Sequence, residues 1–184
     1  MRRFALGETV IELVQGDITT ADTEAIANAA NAMLMGGGGV DGAIHRAAGP
    51  QLQDALREVK RGLSSGTLPT GKAVITPGFR LSARYVIHCV GPIYSREGER
   101  ASELLASCYR EALGLCLENQ IRSIAFPSIS TGVYGYPVEQ AAPIAVVTLR
   151  HWIQTQSLPR LCRFVLFDPP TLAAYEMAAD KLFG

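Results

Sequence analysis

The chain has 184 residues, 48 % of them hydrophobic and 18 % charged, a balance that builds a packed core and excludes a disordered chain. Seventeen Lys and Arg balance seventeen Asp and Glu, so no overall positive field exists to hold nucleic acid through its phosphates. No apolar run approaches the roughly 20 residues of a membrane span, and the opening Met1-Arg2-Arg3-Phe4-Ala5-Leu6 has no stretch of signal-peptide length.

Short apolar runs alternate with longer amphipathic ones. In chain order the pattern predicts strands at 9–14 and 24–27, a helix at 41–48, strands at 72–76 and 85–89, a helix at 101–118, a strand at 123–127, a helix at 138–155, a strand at 163–167 and a helix at 172–182. Residues 2–6 can add an edge strand outside that count. The longest helix sets Leu104, Leu105, Cys108, Ala112, Leu115 and Cys116 on one stripe, which is core packing. No repeat or linker divides the chain, so residues 1–184 are expected to form one α/β domain: three αβα layers around a mixed, mostly parallel six-stranded sheet.

Cys89, Cys108, Cys116 and Cys162 form no C-x-x-C pair, and neither they nor His45, His88 and His151 have metal-ligand spacing. Free thiols, no metal, no cofactor and a cytoplasmic monomer are the expectation.

The most unusual segment is Asn28-Ala29-Ala30-Asn31-Ala32-Met33-Leu34-Met35-Gly36-Gly37-Gly38-Gly39-Val40-Asp41-Gly42. Four consecutive glycines forgo roughly 2–4 kcal/mol of stability relative to alanine. Close approach of backbone N–H groups to an anion, at a helix start, is one compensating reason; a plain surface loop is the other. The Lys-Ser/Thr pair of a phosphate-binding Walker loop is absent, since Val40-Asp41 follows the glycines. A second strand-to-helix loop, Ser128-Ile129-Ser130-Thr131-Gly132-Val133-Tyr134-Gly135-Tyr136-Pro137, offers more N–H groups and hydroxyls. Two such corners suit a diphosphate outside the carboxyl ends of the strands. Ser128 and Ser130 lack a G-x-S-x-G elbow, which argues against a serine hydrolase.

These segments resemble the macrodomain family, in its MacroD-like branch. The resemblance is carried by Gly16-Asp17-Ile18-Thr19, by Asn28 to Asn31, by Gly36 to Gly42 with Ala43-Ile44-His45-Arg46-Ala47-Ala48-Gly49-Pro50, by Pro69-Thr70-Gly71, by His88-Cys89-Val90-Gly91-Pro92 and by Ser130 to Pro137. It implies an ADP-ribose site and a hydrolase acting on ADP-ribose conjugates: O-acetyl-ADP-ribose or a mono-ADP-ribosylated protein. A non-catalytic ADP-ribose reader is the alternative. By the same resemblance, Asp17 would bond the adenine amino group with Ile18 beside the ring. Gly37, Gly38, Gly39 and Val40 would wrap the diphosphate together with Ser130, Thr131, Gly132, Val133 and Tyr134. Asn31 would bind a distal-ribose hydroxyl, Asp41 would hold the attacking water, His45 would line the catalytic end, and Asn28 would shape the loop beside the ligand.

Plain structural readings stand beside these roles. Asp17 can cap a turn near Thr20, Asp41 can be a first-turn carboxylate, and Tyr136 can anchor its loop beside Pro137. Asp41 and His45, four residues apart, share a helix face. Phe167 and Asp168 are candidates for the adenosine end, with core packing and helix capping as their alternatives. Pro169-Pro170 departs from the family there, since proline offers no N–H.

Overall fold

The computed structural model describes residues 1–184. Strands β1 (Arg2–Leu6), β2 (Thr9–Gln15), β3 (Ala25–Ala30), β4 (Ala73–Pro77), β5 (Tyr85–Val90), β6 (Ser123–Phe126) and β7 (Leu161–Leu166) form one sheet in the order β1-β2-β7-β6-β3-β5-β4. The five inner strands run parallel, while β1 and β4 close the two edges antiparallel. Seven strands replace the expected six. Arg2–Leu6 pairs with β2 from Arg2↔Leu13 to Leu6↔Thr9, joined by Gly7-Glu8 with Gly7 at φ +60°. A hairpin this tight needs the left-handed backbone that glycine supplies freely.

Helices α1 (Gly39–Ala48) and α2 (Gln51–Arg61) cover one face of the sheet. After the short α3 (Tyr94–Glu97), helices α4 (Ala101–Glu118), α5 (Val138–Thr155) and α6 (Pro169–Phe183) cover the other. Strand alternation divides the core. Ala25, Ala27, Ile87, Cys89, Ile124 and Phe126 face α4–α6, and Ile26, Ala30, Val86, Val90 and Ala125 face α1 and α2. Asn28, His88 and Thr76 occupy the α1–α2 face by the same parity, and all three are buried. The four cysteines are free and buried, and burial pushes Cys108 and Cys116 up to about 12. They are inert packing groups.

Helix α2 was absent from the sequence pattern. Its apolar stripe is only Leu52, Leu56 and Val59, and its outer face carries the i,i+3 pairs Asp54–Arg57 and Glu58–Arg61 at 2.7 and 2.6 Å. No helix is long and apolar enough to cross a membrane.

Candidate functional site

A cleft of about 760 Å³ opens at the carboxyl ends of the parallel strands. Its walls come from Gly16-Asp17-Ile18 after β2, Asn31 after β3, Gly91 after β5, Pro127-Ser128 after β6 and Phe167-Asp168 after β7. That is where parallel sheets place ligands, and the volume is that of a drug-sized molecule.

The glycine loop and the start of α1 form one wall. Backbone N–H groups of Gly38, Gly39, Val40 and Asp41 donate to no protein acceptor, as in any first helical turn. Across the cleft, those of Thr131, Gly132, Val133 and Tyr134 are equally free. Eight N–H groups without a protein acceptor and a helix N-terminus therefore border one cleft, a setting suited to an anion. Two glycines make the close packing possible. A Cβ on Gly42 would collide with the Gly37 carbonyl oxygen, and one on Gly91 would collide with Ser130 Oγ. Ser130 sits at φ +67° with its buried hydroxyl unpartnered.

The second loop is braced from the far side of the sheet. Tyr175 donates to Ser128 Oγ at 3.1 Å, and Thr131 Oγ1 donates to the same oxygen at 2.8 Å. The buried Tyr175 hydroxyl lies 3.4 Å from that of Tyr109. Tyr136 is buried against Tyr94, ring centroids 4.8 Å apart, so it anchors the loop while Tyr134 lines the cleft. Burial, and then the nearby Asp41 charge, raise the Tyr134 phenol above its ordinary range.

At one end of the cleft Asp41 is 6 % exposed and lines the wall. Its Oδ1 accepts from Asn28 Nδ2 at 2.8 Å and lies 3.3 Å from His45 Nε2. A Cβ on Gly37 would stand 3.5 Å from Asp41 Oδ2 and 3.7 Å from Asn31 Nδ2, which places Oδ2 and the Asn31 amide on the same side. Asn31 also shapes its own loop, donating to the Gly36 carbonyl at 3.0 Å. The His45 ring packs under Gly36, a residue at φ +77°.

At the opposite end Asp17 caps a short 3₁₀ turn, accepting from Thr19 N at 2.9 Å and Thr19 Oγ1 at 2.7 Å, and it still lines the cleft. The turn is tethered by Arg163, which donates to Glu12 Oε2 and to Asp22 Oδ1 at 2.7 Å each and so holds the Asp22 carboxyl below its usual range. Asp168 caps α6, and the Thr171 N–H it accepts at 2.9 Å lowers its pKa. Pro169 and Pro170 open that helix, where a missing N–H is no loss. Phe167 is 84 % exposed at the cleft, which removes core packing as its role.

Fifteen of the residues singled out from the sequence therefore meet at one cleft: Asp17, Ile18, Asn31, Gly37 to Asp41, Ser130 to Tyr134, Phe167 and Asp168. Asn28 and His45 do not line it; both stand behind Asp41, Asn28 with no exposed surface. Ser128 of the second loop lines the cleft too, as do Gly91 and Arg46, which the sequence reading gave no ligand role. For Gly91 and Ser128 the available signal was their place one or two residues past a strand end.

A sequence model of the Macro domain matches residues 27–145. The chain belongs to this family. The O-acetyl-ADP-ribose deacetylase of Salmonella newport is 53 % identical over 165 residues, covering 90 % of this chain and 91 % of that protein. A Macro domain-containing protein of Chlorobaculum tepidum is 50 % identical, covering 92 % and 95 %. Among solved structures, the Oceanobacillus iheyensis macrodomain with ADP is 46 % identical at a TM-score of 0.96, covering 98 % of this chain and 95 % of that one. The Trypanosoma brucei macrodomain in complex with ADP-ribose is 41 % identical at a TM-score of 0.81, covering 92 % and 68 %. This chain has the three-layer α/β macrodomain fold, with seven strands in a mixed sheet.

Proposed function

We propose that this macrodomain hydrolyses ADP-ribose conjugates, releasing acetate from O-acetyl-ADP-ribose and mono-ADP-ribose from acidic side chains. The observation that carries the reading is Asp41: one carboxylate oxygen is tied down by Asn28 and His45, and the other stands at the cleft beside Asn31. The free N–H groups of the two loops hold the diphosphate, and Ile18, Asp17 and Phe167 receive the adenosine. Tyr134 and Asn31 place the distal ribose so that its ester faces a water on Asp41 Oδ2.

At the acetyl ester water attacks the carbonyl carbon, the acyl–oxygen bond breaks and the ribose oxygen leaves, taking up a proton. At an acidic-side-chain linkage water attacks ribose C1″ while its bond to the carboxylate breaks. A carboxylate leaves as a stable anion, so the second carboxylic acid of an ordinary glycosidase is dispensable. The water's proton passes to a diphosphate oxygen of the ligand, with Asp41 as the orienting group. Ser- and Arg-linked conjugates, whose leaving groups need protonation, react poorly.

The test measures acetate release from O-acetyl-ADP-ribose and ADP-ribose release from a glutamate-linked mono-ADP-ribosylated protein. Asp41→Ala is expected to lower turnover about 10²–10⁴-fold while ADP-ribose affinity, read by calorimetry, stays within a few-fold. ADP-ribose binding by the wild type with no turnover of either substrate would make the protein a reader and Asp41 a helix-start carboxylate.

A further inference from the structure

Beneath the cleft, four side chains from three strands and one helix form a single buried chain. Thr76 Oγ1 on β4 lies 2.9 Å from His88 Nε2 on β5, His88 Nδ1 lies 3.1 Å from Asn28 Nδ2 on β3, and Asn28 Nδ2 lies 2.8 Å from Asp41 Oδ1 on α1. Thr76, His88 and Asn28 do not line the cleft.

The protons in this chain follow from the acceptors at its ends. The Thr76 hydroxyl is 3.1 Å from the Pro77 carbonyl oxygen, which can only accept, so Thr76 gives its one proton there. Toward His88 it can then only accept, which puts the imidazole hydrogen on Nε2. A neutral ring has one N–H, so Nδ1 presents a lone pair. Asn28 Nδ2 has two hydrogens: one meets that lone pair, the other meets Asp41 Oδ1. The amide turned the other way would set its oxygen against a lone pair and a carboxylate at once. The arrangement leaves Asn28 Oδ1 buried and unpartnered, an unfavourable feature that persists because both neighbours demand an N–H.

We infer that His88 is a positioning residue: by accepting from Asn28 it locks the amide that pins Asp41 Oδ1, and so holds Oδ2 at the cleft. The imidazole is suited to this because burial keeps it neutral, its pKa pushed down to about 3 despite the Asp41 charge. A charged ring would face Asn28 with a hydrogen and force the amide to turn. The inference rests on the hydrolase reading for its kinetic consequence but not for its proton arrangement.

The variant His88→Phe keeps an aromatic ring and removes both nitrogens. The expected result is a kcat for O-acetyl-ADP-ribose lowered by about 10- to 100-fold, with ADP-ribose Kd within about threefold of the wild type. Combined with Asp41→Ala, it should cost nothing beyond Asp41→Ala alone, because it acts through that carboxylate. His88→Gln, which returns a carbonyl acceptor, should recover part of the loss. Folded His88→Phe protein with unchanged kcat, with kcat and affinity falling together, or with an effect that adds to Asp41→Ala would overturn the assignment.

If His88→Phe does not fold, Thr76→Val removes the acceptor that keeps hydrogen on Nε2 and should show the same kcat loss at retained affinity; unchanged kcat would refute the chain. Nitrogen NMR of the wild type decides the proton arrangement independently of any turnover. A neutral Nε2–H ring at pH 7 is expected, and a hydrogen on Nδ1 would overturn the inference even in an active enzyme.

Discussion

Mild acid should destabilise this protein through His88. In the folded chain the imidazole stays neutral down to about 3, against 6.5 for the ordinary side chain, because burial disfavours its charge more than Asp41 favours it and the nearby His45 also opposes it. The unfolded state therefore binds a proton as pH falls through 6.5, while the native state does not until pH 3 is near. Stability is complete above 6.5 and lost progressively between 6.5 and 3. At pH 5 the gap is about 1.5 pH units, worth about 2 kcal/mol at 1.36 kcal/mol per unit. For a chain of this length that lowers the Tm by about 4–8 °C. Urea unfolding at pH 8, 7, 6 and 5 measures it, with His88→Phe in parallel so that His45 and His151 cancel in the difference. Near pH 5 the wild type should take up about one more proton on unfolding than the variant does. Equal pH slopes for the two proteins would refute the buried neutral imidazole.

Three further outcomes separate packing from ligand binding. Gly42→Ala drives a methyl into the Gly37 carbonyl, so it should cost about 1–3 kcal/mol in urea unfolding and weaken ADP-ribose at least tenfold in calorimetry. A Cβ on Gly132 meets nothing within 4 Å, so the Tm of Gly132→Glu should match the wild type while its bulk and charge in the anion cradle remove ADP-ribose binding; retained affinity would exclude the second loop from the site. Tyr175→Phe removes the donor to Ser128 and should cost about 1 kcal/mol, with a several-fold weaker ADP-ribose Kd because the loop loses a brace; an unchanged Kd would show that Thr131 alone holds Ser128 in place.

Much of the site was legible because its chemistry depends on backbone. A glycine run between a strand and a helix is visible in any reading of the chain, and it leads to Gly37 through Asp41 at the cleft. Side chains that act from behind were harder to see. Asn28 was expected to shape the loop and lies buried under Asp41, and nothing local linked it to His88 until β3 and β5 paired Asn28↔His88. The pairing joins residues sixty positions apart, which no local pattern encodes. The hint was parity: His88 alternates with Val86 and Val90 on one buried face. Pro169-Pro170 withholds N–H donors from that loop and, as prolines at a helix start should, opens α6 behind the Asp168 cap. The edge strand at 2–6 was anticipated but left out of the count because it buries little. Helix α2 was missed although Leu52, Leu56 and Val59 recur at helical spacing, because a mostly polar stretch with three apolar residues reads as a loop.

Val133 and Phe167 stand at the mouth of the cleft, the first fully exposed and the second 84 % exposed. Such rims leave a calorimetric signature. A ligand that covers them withdraws apolar surface from water, so its association carries a negative heat-capacity change and its enthalpy grows more favourable on warming. Phosphate contacts to backbone N–H groups contribute little to that slope. The temperature dependence of binding heat therefore distinguishes a ligand that reaches both residues from inorganic diphosphate seated only in the cradle.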